Sequence, residues 1–315
     1  MITVQSIAKY DKVHPTVITI GTFDGVHIGH RKILKKLITN ARTNNLKSTV
    51  LTFFPHPRMV LQKDADIKLL NTIDEKVKIL GELGLDYLII HPFTKEFSRL
   101  SATEFVRDIL VNSLKAKKII IGYDHRFGRN RDANIKDLNA FGNALDFEVE
   151  EIPAQEIDDV SVSSTKIRKA LEEGQIEIAN KYLGYPYMLT GPIKKGKGLG
   201  RQLNFPTANL HIEESYKLIP KNGVYVVQSK IDGTIVFGMM NIGYNPTISS
   251  TENLPASRKE SIEIHFFDFD QDLYGQKIQI DVLARIRDEH KFESVEALKN
   301  QLTKDKDTSL AILNQ

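Results

Sequence analysis

Two histidines spaced His-x-Gly-His, His27 and His30, end the stretch GTFDGVHIGH at residues 21–30. An apolar run, Val17-Ile18-Thr19-Ile20, precedes it, so the pattern reads as strand, glycine turn, helix start. A helix N-terminus attracts phosphate because its free backbone N–H groups and its dipole both favour an anion. Two imidazoles at that place can donate hydrogen bonds to phosphoryl oxygens, and Gly29 between them lets the backbone come close. Gly21, Phe23 and Asp24 make up the turn itself. The chemistry this suggests is a nucleoside triphosphate held at a strand-to-helix turn and reacting at its α-phosphate.

A second group is Ser163-Ser164-Thr165-Lys166-Ile167-Arg168. The hydroxyls cap a helix and leave further donors free, with an arginine one turn on. Ser164, Thr165 and Arg168 together can hold β- and γ-phosphates, since Arg suits bidentate phosphate contact.

The third group lies in residues 191–210, GPIKKGKGLGRQLNFPTANL. No Walker A loop occurs, but glycines such as Gly191 and Gly198, with Lys197, can turn backbone amides toward phosphate as an anion nest. Thr207 and Asn209 are neutral oxygen donors two residues apart. On an extended segment they point to one side, which suits one Mg²⁺ that keeps several waters. The plainer reading of this loop is a hairpin. Further on, in residues 261–268, Ile262, Ile264 and Phe266 form one face and Glu263 shares the other with His265 and Phe267. Glu263 is either a solvent-facing carboxylate or a general base for an alcohol.

The composition limits what these groups can serve. At 315 residues the chain is long enough for two domains of roughly 150 residues. It is 41% hydrophobic and 26% charged, as ordinary soluble proteins are. The lack of cysteine excludes disulfides, thiolate nucleophiles and Cys-ligated zinc, and is compatible with a reducing cytoplasm. The first residues lack a signal-peptide core, and no apolar run nears the ~20 residues of a membrane span. A net charge of +3 is too small to argue for nucleic acid. Small-molecule partners are expected, with neither nucleic acid nor membrane.

The first half alternates strand and helix patterns. Strands are expected over 17–22, 48–54, 86–91, 118–123 and 147–152, as short β-branched runs. In the first helix Ile33, Leu34, Leu37, Ile38 and Ala41 form one stripe; others are expected over 74–83, 103–114 and 134–145. Regular β-α alternation implies a doubly wound α/β fold with a parallel sheet. Its ligands sit at the carboxyl ends of strands, where residues 21–30 and 122–128 both fall. After about residue 184 strands run without helices, over 223–230, 234–242, 261–268 and 277–285, with Asp232-Gly233 as a hairpin turn. That reads as an antiparallel sheet or small barrel, followed by a helix over 294–302 capped by Ser294. Residues 163–183 read as two short helices closing the first domain. The domains expected are 1–183 and 184–315.

GTFDGVHIGH, TFFPHPR, GYDHRFGRNRDAN and SSTKIR, in this order, resemble the adenylyltransferase half of bifunctional prokaryotic riboflavin kinase/FAD synthetases. GR-x-L-x-F-PTANL, GVYVV, NIGYNPT, IEIHFFDFDQDLYG and ARIRDEHKF look like the riboflavin kinase domain. The resemblance covers about residues 15–305. It implies a Rossmann-like nucleotidyltransferase domain, then a small antiparallel β-barrel kinase domain with a C-terminal helix. It further implies that riboflavin is phosphorylated to FMN, then FMN adenylylated to FAD, each step using ATP and Mg²⁺. By that resemblance His27 and His30 contact the ATP phosphates, and Ser164, Thr165 and Arg168 close over them. Phe53, Asp124 and Phe127 would face flavin, and Arg287 with the loop 285–292 would border it in the kinase. Glu263 would be the base, with Thr207 and Asn209 beside Mg²⁺. Two departures stand out: Asn204 replaces the usual Gly before Phe-Pro-Thr, and Ala133 stands near a usual Gly. Asn tolerates the left-handed conformation better than most residues. The alternatives are a nucleotidyltransferase for another phosphorylated acceptor such as phosphopantetheine, and a non-catalytic flavin or nucleotide sensor.

Overall fold

The computed structural model describes residues 1–11, 13–62, 66–123, 125–153, 162–196, 200, 203–245 and 259–314. Packing divides the chain into two units, Met1–Ser164 and Thr165–Gln315. The sequence placed the division about twenty residues later, after Leu183.

The first unit is built on six strands: β1 (Ile2–Val4), β2 (Thr16–Ile20), β3 (Lys47–Phe53), β4 (Tyr87–His91), β5 (Ala116–Gly122) and β6 (Glu148–Ile152). Their order is β1-β4-β3-β2-β5-β6 and every neighbouring pair is parallel. All five residues of β2 are buried, as a strand covered on both faces requires. The helices are α1 (Ile28–Thr43), α2 (Pro57–Leu61), α3 (Ile73–Glu82), α4 (Ala102–Glu104), which runs on as a π-helical stretch Phe105–Ser113, and α5 (Ile135–Leu145). α1 buries Leu34, Leu37, Ile38 and Ala41, the stripe expected from the sequence. α3 starts in a capping box in which Thr72 and Glu75 satisfy each other's backbone amides.

From β2 the chain moves outward to β3 and β4, then returns to lay β5 on the other side of β2. The strand order therefore reverses at β2, and such sheets take ligands in the crevice beyond the strand ends at that point. The turn after β2 and the loop after β5 both emerge there.

The second unit is a closed antiparallel barrel. Its strands are β7 (Tyr187–Lys194), β8 (Ala208–Leu210), β9 (Gly223–Ile231), β10 (Thr234–Asn245), β11 (Lys259–Phe266) and β12 (Lys277–Arg287), in the order β10-β11-β8-β7-β12-β9. The β9–β10 hairpin turns at Asp232 (φ 48°) and Gly233 (φ 86°), the two positive angles a type I′ turn needs. β7 can close the barrel only with glycine at 191, where a Cβ would lie 2.0 Å from the His211 carbonyl oxygen. Of the two helices expected over 163–183, α6 (Ser164–Glu173) and α7 (Ile176–Leu183) both form. α7 packs on the barrel: Asn180 donates to the Val282 carbonyl (2.8 Å) and accepts from the Tyr187 amide (2.7 Å).

The last helix, α8 (Val295–Leu313), runs eleven residues past the expected end at Leu302. Its buried residues are polar, Asp305 and Ser309. Arg287, at the end of β12, meets Asp305 through Nε–Oδ1 (2.9 Å) and Nη2–Oδ2 (2.7 Å), and Gln301 also donates to Asp305. Asp305 is 1% exposed. Removing one partner of a buried ion pair leaves an uncompensated charge and costs about 3–5 kcal/mol. Arg287→Met is therefore expected to destabilise the barrel unit by about that amount, read from the urea midpoint. An unchanged midpoint would show that the pair does not anchor α8.

Candidate active sites

The turn between β2 and α1 has an unusual backbone. Phe23 (φ 45°) and Val26 (φ 35°) hold left-handed angles, with Gly25 (φ 84°) between them. Such angles in bulky residues persist only where the surroundings enforce them, and they cluster at functional sites. Here the braces are visible. The Leu70 amide donates to Asp24 Oδ1 (2.9 Å), Ser164 Oγ donates to the Asp24 carbonyl (2.9 Å), and Lys76 Nζ donates to the Thr22 carbonyl (2.7 Å). Gly21 admits the Phe23 ring, which a Cβ would approach to 3.1 Å.

His27 caps α1, its Nδ1 accepting from the His30 amide at 3.4 Å. The two imidazoles stack, with centroids 3.6 Å apart and planes at 19°, and Phe23 meets His30 edge-on at 5.1 Å. His27 is 5% exposed. Burial pushes its pKa down to about 4, with Asp24 pulling the other way. Burial also drives His30 well below its ordinary 6.5, helped by His27 and Lys76. His30 keeps some surface, yet its Nδ1 is enclosed and has no protein hydrogen-bond partner among the described residues. The first turn of α1 carries no acidic residue. Neutral imidazoles, one with a free ring nitrogen, thus sit at a helix start suited to an anion.

These lowered values carry a stability consequence. Above pH 6.5 both histidines are neutral folded or unfolded. Below it the unfolded chain takes up protons that the folded chain refuses, so stability falls with pH. His27 alone is expected to cost about 3 kcal/mol between pH 6.5 and pH 4. Denaturant titrations of His27→Gln against the parent at pH 7 and pH 4.5 check this, and an identical pH slope would contradict it.

Gly29 is buried in α1. Ser164 begins α6; Thr165 and Arg168 follow on that helix and fall, by packing, in the second unit. Asp124 lies outside the described residues. Phe53 and Phe127 are joined by a run of rings: Phe53–Phe97 (5.5 Å), Phe97–Phe105 (6.1 Å) and Phe105–Phe127 (6.1 Å). These rings come from the ends of β3 and β5 and the segments near them. Ala133 is 5% exposed and exchanges backbone hydrogen bonds with Phe127, so the loop closes with alanine there.

In the barrel, Glu263 on β11 lies opposite Asn209 of β8 on one side and Asn241 of β10 on the other. Cross-strand partners share a face, so Glu263 is flanked by two amides. Thr207 immediately precedes β8, two residues before Asn209. Gly196 must be glycine, because a Cβ would lie 2.3 Å from Asn209 Nδ2; the backbone at residue 196 thus passes against Asn209. Lys197 and Gly198 lie outside the described residues, and Gly191 serves barrel closure as described. Asn204 takes φ 64°, the left-handed angle a glycine would supply. His265, two residues after Glu263, binds the Pro206 carbonyl through Nδ1 (2.9 Å). It borders a cleft of about 670 Å³, whose lining includes Phe205, Lys299, Thr303 and Lys306, a volume in the range of small-molecule sites. Arg287 is engaged by Asp305, and its Nη1 also meets the Asp288 carbonyl and His290.

The donors fit Mg²⁺. Two neutral oxygens and one nearby carboxylate leave most coordination positions to water and phosphate, as Mg²⁺ prefers. Among the described residues no cluster of three or more His, Asp or Glu could hold a metal alone. Sequence reasoning missed Lys76 and Asn241. Lys76 stands three and four residues before Ile79 and Leu80 on the buried stripe of α3, and a lysine on an apolar stripe was the available signal.

Comparison with known proteins matches both units. The family model for FAD synthetase matches residues 9–166, and that for riboflavin kinase matches 183–313. Proteins named bifunctional riboflavin kinase/FMN adenylyltransferase are similar nearly end to end. The Listeria monocytogenes protein is 38% identical over 94% of this chain and 91% of its own length. The Bacillus subtilis protein is 35% identical over 94% and 92%, and that of Escherichia coli K12 35% over 93% and 91%. A crystal structure from Streptococcus pneumoniae superposes with a TM-score of 0.86 at 31% identity, covering 98% of both chains. It is described as a macrolide-efflux protein, yet no helix among the described residues here is long and apolar enough to cross a membrane. The chain belongs to the bifunctional riboflavin kinase/FMN adenylyltransferase family.

Proposed function

We infer that one chain runs two successive ATP-dependent steps: riboflavin is phosphorylated to FMN in the barrel, and FMN is adenylylated to FAD in the parallel-sheet unit. The observation that carries this is the match of two separate family models to the two architectures, in chain order.

In the first step Glu263 takes the proton of the riboflavin 5′-hydroxyl as that oxygen attacks the γ-phosphorus of ATP, and ADP leaves. Its flanking amides, Asn209 and Asn241, orient it, and the glycine–lysine loop receives the phosphates. Thr207 and Asn209 would hold Mg²⁺, which supplies charge neutralisation on those phosphates when bound. The cleft beside His265 offers room for the flavin. Arg287 acts on the flavin side through the loop it braces.

In the second step an oxygen of the FMN phosphate attacks the α-phosphorus of ATP in line, and the bond to pyrophosphate breaks. No covalent enzyme intermediate is needed; positioning and charge stabilisation carry the reaction. His27 and His30, held neutral, donate hydrogen bonds to the phosphate oxygens. Ser164, Thr165 and Arg168 are assigned to the β- and γ-phosphates on the resemblance alone. On this assignment residues 1–183 serve adenylylation and 184–315 the kinase. Phe53, Phe127 and Asp124 are assigned to the flavin side on the resemblance alone; Phe53 is half-buried, while Phe127 is packed in the core. A cytoplasmic location for both steps is in keeping with a chain that has no cysteine.

The test is a time course with riboflavin, ATP and Mg²⁺ and separation of the flavins. FMN should rise first and FAD follow. FMN alone would remove the adenylyltransferase assignment, and neither product would remove both.

A further inference from the structure

A lysine with almost no exposure needs a reason. Lys76 is 4% exposed, on the inward stripe of α3. No carboxylate forms an ion pair with it among the described residues. Its ammonium donates instead to the Thr22 carbonyl at 2.7 Å, and the same oxygen accepts from Thr52 Oγ1 at 3.3 Å. Thr22 opens the turn that carries Phe23 at φ 45°, and the Phe23 ring meets His30. A chain of contacts therefore runs from the α3 ammonium through one carbonyl to the imidazole stack.

We propose that Lys76 is a positioning residue for adenylyl transfer: its ammonium clamps the Thr22 carbonyl and so sets the turn that presents His27 and His30. A charge-assisted bond to a carbonyl is stronger than a neutral one, which suits a clamp on a backbone held at unfavourable angles. The charge has a second effect. The groups facing His30 are His27 at the start of its own helix and Lys76 from α3, while Asp24 in the turn faces His27 and Lys76. A buried cation opposes protonation of His30, so the imidazole stays a neutral donor when phosphate arrives. Burial in turn lowers the pKa of Lys76 from its usual 10.5, with Asp24 opposing that shift. The role rests on the reading of His27 and His30 as the adenylylation site.

The test uses the full chain with Lys76→Met, which removes donor and charge, and Lys76→Gln, which keeps a donor. Misplacing a reacting group by about 1 Å costs on the order of 100-fold in rate. Lys76→Met is expected to lose about that factor in kcat for FAD formation from FMN, with riboflavin phosphorylation unchanged in the same sample. Lys76→Gln should recover part of the turnover. In both variants His30, followed by proton NMR, should titrate at higher pH than in the parent. Parental kcat in a folded Lys76→Met, or an unmoved His30 titration, would overturn the proposal. Where Lys76→Met does not fold, Lys76→Gln decides by the same two readings. Retained turnover in His30→Ala would overturn the site reading and this proposal with it. Loss there with parental turnover in Lys76→Met would overturn this proposal alone.

Discussion

Replacing His30 with alanine should slow FAD formation from FMN by about 10²–10³-fold and leave FMN formation from riboflavin at its parental rate. Removing one preorganised donor from a transition state typically costs about 3–4 kcal/mol. The geometry favours a loss of that size. The ring is fixed on both sides, by His27 at 3.6 Å and by Phe23 at 5.1 Å. Burial keeps it neutral, so it can donate an N–H to developing charge. His30 is a cleaner target than His27, whose side chain also caps α1; losing such a cap costs ~1 kcal/mol and mixes stability with catalysis. The measurement is initial-rate conversion of FMN to FAD, with riboflavin phosphorylation in the same preparation as the folding control. Parental adenylylation in His30→Ala would take His30 out of the machinery.

The mirror experiment is Glu263→Gln. It keeps shape and removes the negative charge, so the strand pairing of β11 with β8 and β10 should survive. Positioned proton transfer contributes roughly 10²–10⁴-fold, and riboflavin phosphorylation should fall by about that factor while FMN adenylylation is unaffected. Glu263 is half-buried and its two cross-strand neighbours are asparagines on adjoining strands of a closed barrel, which supports the reading as a base. An amide on each side can hold the carboxylate in one orientation, as a base requires. Retained kinase turnover in the glutamine variant would remove the role of base. With His30→Ala, the pair should separate the two steps cleanly.

Much of this architecture was legible in the chain. The five strands expected in the first half form with ends displaced by two residues at most, because β-branched runs between helical stripes leave little choice. What escaped has physical reasons. β1 has three residues, lies at the sheet edge and leaves Ile2 exposed, so it carries no pattern of its own. β7 contains Gly191-Pro192, which read as loop; closure against the His211 carbonyl demands that glycine. α8 was cut short because its second half, TKDKDTS, has no apolar stripe. Its buried side chains are Asp305, paired with Arg287 from eighteen residues back, and Ser309. The pairing of Arg287 with Asp305 was likewise not legible, since no motif joins the two. The two histidines, Glu263, Thr207 and Asn209 were all visible as residue types at telling spacings. Their neighbours Lys76 and Asn241 were harder to see: Lys76 showed only as a lysine on an apolar stripe, and the pairing of Asn241 with Glu263 comes from strand register, which has no motif.

The turn after β2 is specified by ten residues near the start of the chain but held by atoms far downstream. Asp24 waits for the Leu70 amide and for Ser164, and Thr22 waits for Lys76. On a ribosome adding about 5–20 residues per second, the last of these braces arrives on the order of ten seconds after the histidines. The turn is thus early in sequence and late in assembly. A nascent chain released before Ser164 would carry the whole His-x-Gly-His motif and lack part of the scaffold that shapes it.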